Sequence, residues 1–213
     1  VALLADVNPI AKRILMGNAF SALGSGLTLP FLVIYLGEVR GLGVATGGLI
    51  VAYIAIVSLV ATAPVGALVD RVGPRPVMIV ALVVTGIGVA GLSQVDSLAL
   101  ALTVATVFAL GESGVWAPQS ALYARVTPPE YRQKIFGLQF MLLNLGLGVG
   151  GLVSALIVNV NDVGTFSTLY LLDSLTFFHL RRNSVYSDWR LAWDVEGENL
   201  TDQASSASIT PAH

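Results

Sequence analysis

The segment Gly66-Ala67-Leu68-Val69-Asp70-Arg71-Val72-Gly73-Pro74-Arg75-Pro76 interrupts a chain that is otherwise apolar for long stretches on either side. Read physically, it is a helix end, a charged pair, a glycine-assisted reversal and a proline start to the next helix. Proline suits the first turn of a helix, where the backbone N–H it lacks would have no partner anyway. Asp70 and Arg71 stand where an apolar helix would meet water. They can serve as plain topology anchors, yet an acid at that depth is costly unless it meets a cation or a helix N-terminus.

Outward from this segment, the apolar runs have the length of membrane spans. A hydrocarbon core about 30 Å thick takes about 20 helical residues. Residues 14–36, 45–69, 77–93, 98–123 and 135–158 qualify, the third extending back to Pro74 or Pro76. A sixth run, 166–180, is short and contains Asp173. Membrane β-strands would alternate apolar and polar residues, whereas these runs are apolar on every face, so helices are expected. The reading is an all-α integral membrane protein, a six-transmembrane-helix bundle over 14–180. A cytoplasmic segment (1–13) precedes it and a polar cytoplasmic tail (181–213) follows, of disordered composition, either a linker or a frame-shifted end. No signal peptide is expected, since the first apolar run is too long for one.

Composition agrees. Of 213 residues, 55% are hydrophobic and 11% charged, with a mean hydropathy of +0.79. A soluble domain carries about 25% charged residues. Charge is concentrated at the end: sixteen of the first 180 residues carry it, against eight of the last 33. A net charge of −2 argues against a nucleic-acid partner. The absence of cysteine excludes a Cys-ligated metal site, the two histidines, His179 and His213, leave little for a His-based one, and no metal or cofactor is expected.

The basic residues alternate by loop. Lys12 and Arg13, then Arg71 and Arg75, then Arg125, Arg132 and Lys134, and finally Arg181 and Arg182 fall on one side; Arg40 alone falls on the other, with Glu38, Asp96 and Asp162. Lys and Arg mark cytoplasmic loops. The count predicts both termini in the cytoplasm of a multi-pass plasma-membrane protein. It also supports 166–180 as a span, because otherwise Arg181 and Arg182 would lie outside.

The opening segment resembles the signature between helices two and three of the major facilitator superfamily, G-x-L-a-D-r-x-G-r-k. Gly66, Leu68, Asp70, Arg71, Gly73 and Arg75 match, while Pro74 replaces the first trailing basic residue. The resemblance implies a secondary transporter with two six-helix halves, of which this chain is the N-terminal one. It further implies that Asp70 braces the cytoplasmic side against the other half in the outward-facing state. A second stretch, in span five, is similar to the family's antiporter signature, G-x8-G-x3-G-P-x2-G-G. Gly137, Gly146 and Gly150 hold its spacing; Gly151 takes the proline position and Ser154-Ala155 the final glycine pair. It reads either as an exporter motif or as a glycine ridge for helix packing. Span four lacks the arginine that such exporters often carry, which puts proton coupling through that residue in doubt.

Polar residues inside spans are costly and so are candidates for a transport path. Glu112 lies mid-span four, and a carboxyl able to change protonation is what a proton-coupled carrier needs. The plain alternative is a neutral Glu bonded to a neighbouring helix. Asp173 is weaker, being placed near the outer interface. Asn18 and Gln119 are expected to line a polar cavity, with Trp116 as an aromatic wall or an ordinary packing residue. No H-E-x-x-H, G-x-S-x-G or ATP-binding G-x-x-x-x-G-K-[ST] pattern occurs, so no enzyme is expected. The expected partners are the lipid bilayer, a small-molecule substrate, protons, and either the missing C-terminal half or a second copy. The expected activity is secondary efflux; the alternatives are a non-transporting membrane module or remnant, and a half-size carrier acting as a homodimer.

Overall fold

The computed structural model describes residues 9–159 and 162–182, with only the backbone at Ile10, Arg75, Arg125 and 178–182. Nearly every described residue is helical, and no strand occurs among them. Helix α1 (Pro9–Thr28) continues through a 3-10 turn (Leu29–Phe31), a short α turn (Leu32–Ile34) and a π turn (Tyr35–Val39). It is followed by α2 (Val44–Val72), α3 (Pro74–Leu92), α4 (Leu98–Val126), α5 (Arg132–Ile157) and α6 (Val163–Arg182). Four segments are long and apolar enough to cross a membrane, namely Ala11–Val39, Val44–Val72, Leu98–Ala124 and Pro129–Ile157; Pro76–Leu92 is a shorter apolar helix.

Local chemistry sets the helix ends. Ser97 caps α4 by accepting from Leu100 N at 3.4 Å. Asp162 binds the start of α6 through Gly164 N at 2.8 Å and Thr165 Oγ1 at 3.3 Å. An acid suits that position, where backbone N–H groups lack partners and the helix dipole is positive. Pro64 and Pro118 sit inside unbroken helices. Pro30 instead falls in the 3-10 turn where α1 loses its regular α geometry, since proline cannot donate the backbone hydrogen bond.

Two boundaries differ from the sequence reading. Helix α1 already includes Pro9, so Lys12 and Arg13 lie within the helix. Helix α6 has 20 residues and runs to Arg182. Ionic and small polar residues at both ends lower its apparent apolar length to fifteen, although they continue the helix. The tail beyond 182 and the segment 1–8 lie outside the described residues.

The packing relates two sets of three helices, α1–α3 and α4–α6, with every principal contact running between the sets. The principal contacts are α3 with α4, α1 with α5, α2 with α4, α3 with α6, and α1 with α6. Exchanging α1–α3 for α4–α6 maps this set onto itself: α1 with α5 becomes α4 with α2, and α3 with α4 becomes α6 with α1. With three helices in each set, six alternating helices would bring the two sets in from opposite faces, as in inverted transporter repeats.

Small residues let these helices touch, because lipid provides no hydrophobic drive for association. In the α1–α5 seam, a Cβ added at Gly26 would stand 2.6 Å from Leu147 O, and one at Gly146 2.7 Å from Ala22 Cβ. Ser154 Oγ donates across the same seam to Leu27 O at 2.7 Å.

One end of the bundle is clamped by Arg40. Its Nε donates to Tyr35 Oη at 2.7 Å, its Nη2 donates to Ser93 O, and its guanidinium lies 5.2 Å from the Tyr35 ring centre. Tyr35 Oη donates to Leu92 O at 2.7 Å, and the ring packs on Phe166 and Tyr170. The carbonyls left open at the end of α3 are thus satisfied, and a cation sits at the negative pole of its dipole. Arg40, the exception in the loop count, has a structural task.

Candidate transport site

The signature loop is built around one residue. Gly73 ends α2 and starts α3, with φ +87° and ψ 156°, and its N–H donates to Val69 O at 2.9 Å. A side chain is strained at that φ, so a one-residue reversal calls for glycine. Pro74 occupies the first turn of α3, where its missing N–H leaves no hydrogen bond unmade. Leu68 borders an apolar cavity of about 330 Å³ shared by α2, α3 and α4, together with Val72, Pro76, Val80 and Leu110. Gly66 is half-buried with open space at its Cβ position, and Asp70 and Arg71 are exposed. The side chain of Arg75 lies outside the described residues. Asp70 stands in the last turn of α2, where the helix dipole does not favour an acid.

The four glycines of the antiporter-like stretch divide. Gly146 and Gly150 lie flush against α1, where a Cβ would strike Ala22 Cβ and Leu23 O respectively. Gly151 has ordinary contacts with Gly26 O and Pro30 Cγ, both 3.7 Å from its Cβ position, and Gly137 faces open space. The geometry at Gly146 and Gly150 is a packing ridge.

The membrane-embedded polar residues fall into separate groups. Glu112 is half-buried on α4 and accepts from Trp116 Nε1 at 3.1 Å, one turn along the same helix; Trp116 is exposed. Gln119, also on α4, is buried and accepts from Gln139 Nε2 of α5 at 3.3 Å. Asn18 is half-buried on α1, and its Nδ2 has no hydrogen-bond partner among the described residues. Asp173 lies at the middle of α6 and is only 1% exposed. Thr28 Oγ1 of α1 donates to Asp173 Oδ2 at 2.7 Å, and Thr176 Oγ1 donates to Asp173 O at 2.7 Å.

Sequence reasoning missed Thr28, Thr176 and Gln139. Thr176 carried a signal, because residues three apart share a helix face with Asp173. Thr28 and Gln139 carried none, since their partners are distant in the chain. Among the described residues no group of His, Asp and Glu is placed to hold a metal as a cluster.

Comparison with known proteins identifies the architecture. The family model described as Major Facilitator Superfamily matches residues 14–179. The chain is 27% identical over 145 residues to the uncharacterized MFS-type transporter YqjV of Bacillus subtilis (strain 168), covering 68% of this chain and 35% of that protein. It is 28% identical over 157 residues to a Na(+), Li(+), K(+)/H(+) antiporter of Planococcus maritimus, covering 71% of this chain and 37% of that protein. The chain spans a little over a third of the length of these curated relatives. With a family match across its helical region, a paired three-helix packing and apolar helices of membrane length, the chain belongs to the major facilitator superfamily of transporters and is a multi-pass membrane protein.

Proposed function

We propose that this chain forms the N-terminal lobe of a secondary transporter that exports small molecules in exchange for protons, with the second lobe supplied by a further set of six helices or by a second copy. In this reading all six helices span the plasma membrane and both termini face the cytoplasm, as the distribution of Lys and Arg favours. Glu112 carries the proton. The observation behind that assignment is its hydrogen bond to Trp116 of its own helix at 3.1 Å. A carboxyl serving only to glue the bundle would bond to a neighbouring helix, whereas Glu112 leaves its remaining acceptor capacity for an exchanging proton. The relative named as a Na(+), Li(+), K(+)/H(+) antiporter supports monovalent cations as the first substrates to test.

Everted membrane vesicles containing the protein, acidified inside and reporting through a pH-sensitive dye, supply the test. Addition of Na+, Li+ or K+ is expected to dissipate the gradient. Glu112→Gln is expected to lower that flux at least roughly tenfold, a loss of about 1.4 kcal/mol, at an unchanged membrane level. No dissipation by any of the three ions would reject cation exchange, and undiminished flux in Glu112→Gln would remove the proton from that residue.

A further inference from the structure

Polar residues recur along one face of α4 at Glu112, Trp116, Gln119 and Tyr123, and the series ends at Thr127, which caps the helix. Steps of three and four residues keep the first four on one side of a helix. From Glu112 to Thr127 the series covers about 22 Å, which is half the thickness of a bilayer with its headgroups.

Exposure changes sharply along this face. Glu112 is half-buried and Trp116 exposed, whereas Gln119, Tyr123 and Thr127 are all buried. Two residues of α5 meet the buried part. Gln139 Nε2 donates to Gln119 Oε1 at 3.3 Å. Phe136 stands edge-on to Tyr123, with 6.2 Å between ring centres and 74° between planes. Phe136 and Gln139 are three residues apart, so one face of α5 makes both contacts.

This cover differs from the packing seams of the bundle. The principal partner of α5 is α1. Its close approaches to α1, at Gly146, Gly150 and Ser154, lie in the other half of the helix. Toward α4 it makes few contacts, and Gly137, between the two covering residues, faces open space. A seam held for strength uses small residues that let backbones touch. Here two large side chains reach across instead.

The covered hydroxyls are the second observation. Tyr123 Oη and Thr127 Oγ1 are buried and have no hydrogen-bond partner among the described residues. A buried hydroxyl without a partner is costly, and an apolar side chain of the same shape avoids that cost. Neither hydroxyl is used in this arrangement; both gain partners when water reaches them.

We propose that Phe136 and Gln139 of α5 form an inner gate, closed in this structure, whose opening admits water along Thr127, Tyr123 and Gln119 to Glu112. The gate deepens the proton-exchange reading above and rests on it for its role, but its opening is measurable without transport.

The chain contains no cysteine, so Gln139→Cys places a single thiol beneath the cover. Its rate of reaction with a charged methanethiosulfonate is to be read on the purified 213-residue protein in detergent. Adding Phe136→Ala is expected to speed the reaction about tenfold, because loss of the ring shifts the local opening equilibrium. Leu152→Ala, at an exposed position in the other half of α5, is expected to leave the rate unchanged. Tyr123→Phe removes an unpaired buried hydroxyl and is expected to slow the reaction and raise Tm. Equal rates with and without Phe136→Ala overturn the gate, as does the same acceleration by Leu152→Ala, which marks general loosening. If Phe136→Ala fails to fold, Tyr123→Phe decides alone, and an unchanged or lowered Tm in it overturns the gate. Gated labelling without vesicle flux would reject the exchange reading and leave the gate standing. Flux with a labelling rate insensitive to Phe136 would do the reverse.

Discussion

The α3–α4 and α6–α1 seams occupy equivalent places between the two three-helix sets, yet they are filled differently. In the first, a Cβ added at Gly111 would strike Thr85 N and Oγ1, and one at Gly88 would lie 2.7 Å from Phe108 Cα. The obstruction is mostly backbone, and the polar group present is satisfied within its own helix. In the second, a Cβ at Gly24 would strike Asp173 Oδ1 and stand 2.9 Å from Thr176 Oγ1. The obstruction is side chain, and the hydrogen bond to Thr28 joins residues 145 apart in sequence. One seam is a joint and the other holds a buried carboxyl group. The same helix geometry thus separates what packing demands from what packing alone leaves unexplained.

Moving the carboxyl group to the other seam breaks this contrast most severely. Thr85→Asp would place a carboxyl against backbone with no hydroxyl from a second helix to receive it. The expected cost is about 2.5–3.5 kcal/mol, read as loss of folded, membrane-integrated protein in detergent extracts. Normal yield and Tm would mean that both seams tolerate a carboxyl group, and the distinction between them would vanish.

Glycine replacement sharpens the contrast on a smaller scale. Gly111→Ala forces α3 and α4 apart and is expected to cost about 1–3 kcal/mol. Gly24→Ala meets side-chain ends that can rotate, and is expected to cost under about 1 kcal/mol. Chemical denaturation of the two variants in the same detergent checks the order. Equal losses would show that the α1–α6 seam is as rigid as its counterpart.

Much of the architecture was legible because it rests on local chemistry. Gly73 and Pro74 announce a one-residue reversal, and long apolar runs announce helices whatever their partners. The site was less legible because it rests on partners remote in the chain. Gly24 and Gly26 look alike in the sequence, but two residues on a helix point about 200° apart. Gly24 faces α6 and Gly26 faces α5. Asp173 looked peripheral because apolar content, and not helix length, set the expected edges of its span. Arg40 looked like a stray charge in a loop, since nothing local to it shows that Ser93 O and Tyr35 await a donor.

The account depends above all on two three-helix sets that enter the membrane from opposite sides. The chain contains no cysteine, so single cysteines can be introduced at residues 75, 96 and 162 without background. Labelling by a membrane-impermeant maleimide in intact cells tests the arrangement most directly. Cysteines at 96 and 162 are expected to label from outside, and the one at 75 only after the membrane is opened. Labelling of residues 75 and 96 from the same side, or of 96 and 162 from opposite sides, would contradict the arrangement and the transport path built on it.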